Sequence, residues 1–207
     1  MDREAREARE RMKQLSKKEQ LANFWYYHKV HIFAAIFAVL VVGFGISECV
    51  KQVEYDLEIS YYSASYVDSE KVENLEKELQ KNIEDVNFDA QTVMWIAPCY
   101  ATLDDATEQT QAVLMKIQVE LAAGNSMGYI MDEKFYNLIY EGYGDCFEKV
   151  ILISDIPKVR EMLGIGEDQK VYWLTKALYE TEKDDEFKIG VHENALKVQK
   201  YFESLEK

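Results

Sequence analysis

The longest feature in the hydrophobic pattern is an unbroken apolar run of fifteen residues, Ile32 to Ile46. Residues 30 and 31 extend this run at the front, and Ser47 extends it at the back. A helix needs roughly 20 predominantly apolar residues to cross a bilayer, with a lower limit of about 17. The aromatic residues 24–27 precede the run. Aromatic residues at the ends of membrane helices typically sit at the level of the lipid headgroups. The pattern predicts one transmembrane helix over residues 30–48 rather than a buried core helix.

The charged residues around this run predict its orientation. Eight Lys and Arg residues precede it, whereas Lys51 is the only one that follows before Lys71. Because cytoplasmic flanks of membrane helices carry an excess of Lys and Arg, we expect residues 1–29 to form a charged helical tail in the cytoplasm. The leading segment is long for a signal peptide, and Glu48 before Cys49 is unlike the small residue at a lipoprotein cleavage site. The sequence therefore predicts an uncleaved signal-anchor in a single-pass protein of the cell membrane.

Residues 52–207 alternate between strand and helix patterns, which predicts a separate extracytoplasmic domain. Val72, Leu75 and Leu79 recur at helical spacing after Ser69, a candidate N-cap. The apolar run 91–97 is typical of a strand buried on both faces. The predicted strands are 55–62, 91–97, 127–131, 150–153, 171–178 and 187–191, and the predicted helices begin at 69, 103, 132, 157 and 193. This alternation indicates a single three-layer α/β domain with a mostly parallel sheet.

Several segments resemble a known family of binding proteins. Residues 111–124, followed by Met127–Asp132, resemble the helix–glycine–strand–acid segment of extracellular solute-binding proteins with the type 2 periplasmic-binding fold. Residues 187–194 are similar to a late segment of those proteins, and FWYYHK at 24–29 before one span resembles single-pass membrane proteins of Gram-positive, clostridial-type bacteria. That family binds its ligand between two lobes. Residues 52–207 have the length of one lobe, so the resemblance implies a lone lobe with an open binding surface.

Composition and charge restrict the classes of function. Hydrophobic residues make up 48% and aromatic residues 13% of the chain, which excludes wholesale disorder and permits a sizeable core. Residues 52–207 carry a net charge of −17, and the preceding segment carries +3. Nucleic-acid binding depends on neutralising phosphates with Lys and Arg, so we expect no nucleic-acid partner. The lipid bilayer is the expected partner of the anchor.

The acidic segment at Asp85, Asn87 and Asp89 matches the beginning of a calcium-binding loop. However, Ala90 takes the place of the glycine that makes the sharp turn, and Ile96 takes the place of the closing Glu. The pattern favours a polar turn over a cation site, and we predict no metal site and no cofactor. Whether Cys99 and Cys146 form a disulfide remains open at this level, since an outside location permits one.

Two acidic clusters, Asp104–Asp105 and Asp184–Glu186, are the candidates for carboxylate chemistry. Paired carboxylates act in glycosidases only at set separations across a cleft, and adjacent acids at helix starts and turns are usually solvated. His192 is the only histidine after the anchor, and its predicted place in a turn does not indicate a Cys–His pair. We therefore expect no enzymatic activity, with a carboxylate-dependent surface hydrolase as the alternative.

The candidate binding residues lie at the ends of the predicted strands, where open α/β sheets form their sites. They are Tyr61, Tyr62, Tyr66, Tyr100 and Asp132, with the hydroxyl of Ser63 beside them. Aromatic faces, hydroxyls and one acid suit a sugar, an amphipathic peptide or an amine better than a bare anion. Because a lone lobe leaves this surface open, a small ligand would bind weakly. The sequence predicts an interaction domain whose partner is a protein, such as a transporter or a surface complex.

Overall fold

A computed structural model describes residues 16–50, 54–103, 108–123 and 126–206 of the chain. The chain divides into two compact units at residue 54, and each is described by itself. Within its described residues, the first unit contains one continuous helix, α1 (Lys17–Val50), which includes the predicted span 30–48. Its segment Lys17–Gly43 is long and apolar enough to cross a membrane and is not buried in protein, although signal sequences share these properties. The predicted tail residues 1–15 lie outside the described residues.

The second unit has five strands, five α-helices and four short 3-10 helices within its described residues. The strands and α-helices follow each other as β1 (Leu57–Ser63), α2 (Ser69–Leu79), β2 (Met94–Tyr100), α3 (Glu108–Ala123), β3 (Gly128–Asp132), α4 (Glu133–Tyr143), β4 (Phe147–Leu152), α5 (Pro157–Leu163), β5 (Val171–Lys176) and α6 (Glu186–Leu205). The strands form one sheet in the order β2-β1-β3-β5-β4. The α/β class is confirmed.

The sheet is mixed, so the prediction of a mostly parallel sheet is wrong. β1 pairs in parallel with β2 and β3, whereas β5 pairs antiparallel with both β3 and β4. The segment between β4 and β5, which contains the short helix α5, returns the chain to the sheet at the end at which β4 leaves it, so β5 runs antiparallel to β4.

The two faces of the sheet are covered by different helices. Because side chains alternate along a strand, Leu57 and Ile59 of β1 pack against α2, α5 and α6, whereas Tyr62 packs against α3 and α4. Both sets of helices bury apolar residues on the sheet. The result is a three-layer arrangement with one hydrophobic cluster on each side.

Local sequence signals account for several helix ends. Pro157 occupies the first turn of α5, and Gly164 ends that helix with φ of 64°, a conformation that glycine adopts without strain. Asp132 caps α4 by accepting a hydrogen bond from the Phe135 N–H at 3.0 Å. The predicted N-cap of α2 is displaced by one residue, because Asp68 rather than Ser69 accepts the hydrogen bond from the Glu70 N–H.

The predicted strand 187–191 is wrong, since these residues form the first turns of α6. Asp185 accepts hydrogen bonds from the N–H groups of Phe187 and Lys188 and begins the helix there. Val191, Val198 and Phe202 are buried at helical spacing in the same cluster. A five-residue segment with three apolar residues is compatible with either a strand or a helix. Here the N-cap and the buried face favour the helix.

Strand β2 lies at an edge of the sheet, which corrects the prediction that the run 91–97 is buried on both faces. The strand begins at Met94, and Trp95, Pro98 and Tyr100 are exposed. The outer edge is protected against pairing with another strand. The Ile96 N–H donates to the Glu76 carboxylate at 2.9 Å, and Pro98 has no N–H to offer.

Two buried polar side chains tie the beginning of β1 to distant segments. Asn194 of α6 donates to the carbonyls of Asp56 and Glu84, at 3.1 and 2.8 Å, and accepts from the Glu84 N–H at 3.0 Å. Asp56 accepts hydrogen bonds from the N–H groups of Val86 and Val93, at 2.8 and 2.7 Å. Both side chains are fully buried. Their partners hold the segment between α2 and β2 against the sheet.

Candidate functional site

A cleft of about 420 Å³ lies at the carboxyl ends of β1 and β3. The chain leaves β1 towards α2 on one face of the sheet, and it leaves β3 towards α4 on the other face. A crevice opens where neighbouring strands lead to opposite faces, and open α/β sheets bind ligands there. The lining residues are 61, 63–68 and 71 from the β1 side, 132–134 from the β3 side, and 163–165 and 168–171 from the segment between α5 and β5.

Tyr61, Tyr66 and Asp132, three of the predicted binding residues, line this cleft together with Ser63. Tyr61 is 6% exposed, and burial, followed by the negative charge of Asp132, raises the pKa of its phenol to about 12. Tyr61 therefore stays a neutral hydroxyl that can donate or accept a hydrogen bond. Tyr66 is 76% exposed and offers its ring at the cleft's mouth.

Asp132 shapes the cleft more than it offers itself to a ligand. One carboxylate oxygen accepts the hydrogen bond from Phe135 N–H, and the other accepts from the Ser63 hydroxyl and from the Ala64 N–H. These contacts connect the end of β1 to the first turn of α4. The carboxylate is thereby held in one orientation beside Tyr61.

The other two predicted tyrosines lie outside the cleft. Tyr62 is fully buried on the opposite face of the sheet, where its hydroxyl donates to Glu120, so its prediction as a ligand contact is corrected. Alternation along β1 is the physical reason, since Tyr61 and Tyr62 must face opposite sides. Tyr100 is half-exposed and meets the Tyr66 ring edge-on at 6.2 Å between centroids. It supports the rim without lining the cleft.

Sequence reasoning missed the basic residues of the cleft, above all Lys71. The Lys71 amine makes no hydrogen bond or ion pair with any residue in the described ranges, and its side chain is half-buried. Its stem lies across Gly164, where an added Cβ would come within 1.8 Å of Nζ. One sequence signal was available, because a lysine in the first turn of a helix opposes the helix dipole.

The cleft combines charges of both signs. Lys170 pairs with Glu133 at 2.6 Å near the start of α4. The charged lining residues are Lys71, Lys134 and Lys170 on the basic side, and Asp68, Asp132, Glu133 and Asp168 on the acidic side. Cys and His do not occur among the described lining residues. The cleft is equipped to hold a ligand by hydrogen bonds and charge pairs.

The degenerate calcium-like segment forms a hydrogen-bonded polar turn. The Asp85 carboxylate accepts from the N–H groups of Phe88 and Ala90, and the Asn87 and Asp89 side chains accept from N–H groups two residues ahead. Phe88 and Ala90 both have positive φ, at 60° and 66°. The oxygens that a cation would need are engaged with the backbone.

The remaining candidates for chemistry are dispersed. Cys99 and Cys146 are free thiols, and His192 lies within α6, 3.1 Å from the Glu148 carboxylate. Asp185 is the N-cap of α6, and Asp104–Asp105 lie outside the described residues. No family model, curated protein or solved structure matches the chain, so the site itself carries the functional argument.

Proposed function

We propose that the protein is a membrane-anchored, extracytoplasmic binding domain that engages a segment of a partner protein in the cleft between β1 and β3. The observation that carries the proposal is the cleft itself, which lies where the connections of two parallel strands lead to opposite faces of the sheet. The anchor is α1, a helix long and apolar enough to cross a bilayer. The proposed role is binding without catalysis, as for one lobe of a solute-binding protein.

The chemistry of the cleft favours a ligand that carries a carboxylate beside polar or aromatic groups. The Lys71 amine is the group most in need of a partner, because it lies in a concave site with no ion pair to a described residue. The Tyr61 hydroxyl adds a hydrogen-bonding group, and Tyr66 adds an exposed ring. The acidic lining residues oppose a bare anion, whereas a peptide segment with both charges complements the whole cleft.

A protein partner is favoured over a small solute by the shape of the site. The volume is within the range of about 300–1,000 Å³ that ligand pockets have, but such pockets bury at least about 70% of a small ligand. Here the exposed Tyr66 and Tyr100 rings form a rim that no described element covers. A partner segment would bury these rings, which are typical anchors in protein interfaces.

The test uses the full chain in its native membranes with a photo-reactive phenylalanine analogue at position 66 or, as the control, at position 140. Tyr140 is also exposed, but it lies on α4 outside the cleft. We expect a cross-linked partner from position 66 only. Lys71→Gln should reduce that product about tenfold, the effect of losing one charge-assisted bond, and Lys77→Gln on the same helix should not.

Equal cross-linking from positions 66 and 140 would show that the partner does not bind specifically in the cleft. Unchanged capture in Lys71→Gln would show that the amine does not contact the partner. The Lys77 amine pairs only loosely with Glu73, at 3.8 Å, on an exposed face of α2. Its substitution therefore matches the change in charge without touching the cleft.

A further inference from the structure

A second polar site lies on the opposite side of the sheet, between β1 and α3. Glu58, Ser60 and Tyr62 alternate with apolar residues along β1 and face α3. Strands covered by helices on both faces are normally apolar on both. Three polar side chains in this position need partners, and only some of them have one.

Glu120 of α3 satisfies the inner part of this polar layer. Its carboxylate accepts hydrogen bonds from the Ser60 and Tyr62 hydroxyls, at 2.9 and 2.5 Å. The Lys116 amine lies 3.4 Å from its other oxygen. Ser126 completes the network through a contact of 3.0 Å with Ser60.

Two polar side chains on this face, Glu58 and Tyr129, take no part in the hydrogen-bond network of Glu120. Glu58 is half-buried and has no hydrogen bond or ion pair within the described part of the chain. The Tyr129 side chain is fully buried, and its hydroxyl has no hydrogen-bond partner among the described residues. Tyr129 of β3 lies beside Ser60 in the sheet and on the same face as Glu58. Buried polar groups without partners are rare in native proteins and call for a specific explanation.

The two groups share one face of the sheet with Ser60, whose hydroxyl donates to Glu120, and their pKa values reflect this placement. Burial and then the negative charge of Glu120 raise the pKa of the Glu58 carboxyl, with Lys116 acting in the opposite direction. Burial raises the pKa of the Tyr129 phenol, followed by the charge of Glu120, by Tyr179 and by the charge of Glu58. Two carboxylates against one amine leave an excess of negative charge in this layer.

An aromatic surface adjoins Glu58. Trp95 of β2 is the direct neighbour of Glu58 in the sheet and is 42% exposed. Tyr55 stacks on Trp95 at 5.5 Å between ring centroids, with 26° between the planes. The ring face of Trp is the best aromatic partner for a cation. Glu58 therefore has an exposed aromatic wall on one side and the buried Tyr129 hydroxyl on the other.

We propose that this second site binds a primary alkylammonium group among Glu58, Glu120 and Tyr129, with the alkyl chain passing Trp95. An ammonium carries three donors and one positive charge. It supplies donors to Glu58 and to the Tyr129 oxygen and offsets the excess negative charge. The described residues contain no group of three His, Cys, Asp or Glu side chains that would hold a metal ion. An ordered water would satisfy the hydrogen bonds without compensating the charge.

The test titrates the full chain in detergent micelles with propylammonium chloride, followed by tryptophan fluorescence and calorimetry at about 0.1 M ionic strength. We expect a Kd of about 1 mM, which is within the limit for a ligand of four heavy atoms. Tetramethylammonium has the same charge but no N–H donors and should bind more weakly. Potassium chloride controls for the ionic strength.

Two conservative variants separate this site from a nonspecific charge effect. Glu58→Gln should weaken propylammonium binding about tenfold, and Tyr129→Phe about fivefold, because they remove a charged and a neutral partner respectively. Glu73→Gln and Tyr140→Phe, at exposed positions elsewhere, should leave the affinity unchanged. Both site variants should fold, since each removes a polar group that the fold leaves unsatisfied.

A short peptide with one lysine and blocked ends distinguishes two sources of the ammonium group. Binding of this peptide and of propylammonium supports a lysine side chain of a partner protein, and binding of propylammonium alone supports a small amine. Absence of propylammonium binding, or equal binding by Glu58→Gln and the unsubstituted protein, would overturn the proposal. The two polar groups would then be satisfied by ordered water only.

Discussion

Adding one methyl group at Gly128 should destabilise the second unit far more than adding it at Gly142. A Cβ on Gly128 would lie 2.4 Å from the Trp173 ring carbon Cη2 and 3.1 Å from two further ring carbons. Favourable carbon contacts begin at about 3.5 Å, so the ring or the strand must move by about 1 Å. Among the described residues, no heavy atom outside the helix's own backbone and the neighbouring residues lies within 4 Å of a Cβ on Gly142.

Displacing the Trp173 ring would cost free energy, because the ring is fixed by burial and by specific contacts. It is fully buried, and its indole N–H donates to the Thr175 hydroxyl at 2.9 Å, which in turn donates to Gln199 at 3.0 Å. Its ring also meets Phe202 edge-on at 5.5 Å. Overpacking costs about 1–3 kcal/mol, and a disturbed hydrogen bond costs about 1 kcal/mol. Alanine also reduces the conformational freedom of the unfolded chain, which offsets about 0.4–1 kcal/mol of this loss of stability.

The expected net loss for Gly128→Ala is about 2–3 kcal/mol of unfolding free energy, from the costs above. Gly142→Ala should gain up to about 1 kcal/mol, because alanine is the better helix former. Pulse proteolysis of the full chain in micelles at increasing urea reports unfolding of the second unit. With a slope of about 2 kcal/mol per molar urea, the midpoints should move by about 1 M downwards and up to about 0.5 M upwards. Equal midpoints for the two variants would refute the packing argument.

Asn194→Ala should lower the unfolding free energy by about 3 kcal/mol, since it leaves two carbonyls and one N–H unsatisfied in the interior; Asn137→Ala, exposed on α4, should change the same urea midpoint little. Hydrogen bonds from Lys81, Lys158 and Tyr201 lower the pKa of Glu78 from 4.5 to about 2. The stabilisation of the folded state by the ionised Glu78 is therefore complete above pH 4.5 and is lost as the pH falls towards 2. The difference in urea midpoint between the unsubstituted protein and Glu78→Gln should shrink across that range. A constant difference would contradict this assignment. Protease added to intact cells should remove the unit that begins at residue 54 and spare the tail 1–29, and digestion of the tail alone would reverse the proposed orientation.

Part of the candidate site was predictable, because strand ends are visible in the sequence and sites form there. Tyr61, Tyr66 and Asp132 meet in the cleft as expected. Tyr62 was misplaced because a strand sends successive side chains to opposite faces, and its sequence position alone does not show which face opens to a cleft. Lys71 and Asp168 reach the cleft from other elements, at distances that only the assembled sheet defines.

The sequence by itself determined the features that depend on a few neighbouring residues. The apolar run of the α1 helix, the proline that begins α5 and the glycine that ends it act through contacts within one or two turns. The direction of β5, the edge position of β2 and the helical state of residues 187–191 depended on partners far away in the chain. Asn194 and Asp56, for example, are bonded across 138 residues. Such contacts are selected by the burial and satisfaction of polar groups in the whole fold, so only the tertiary structure decided them.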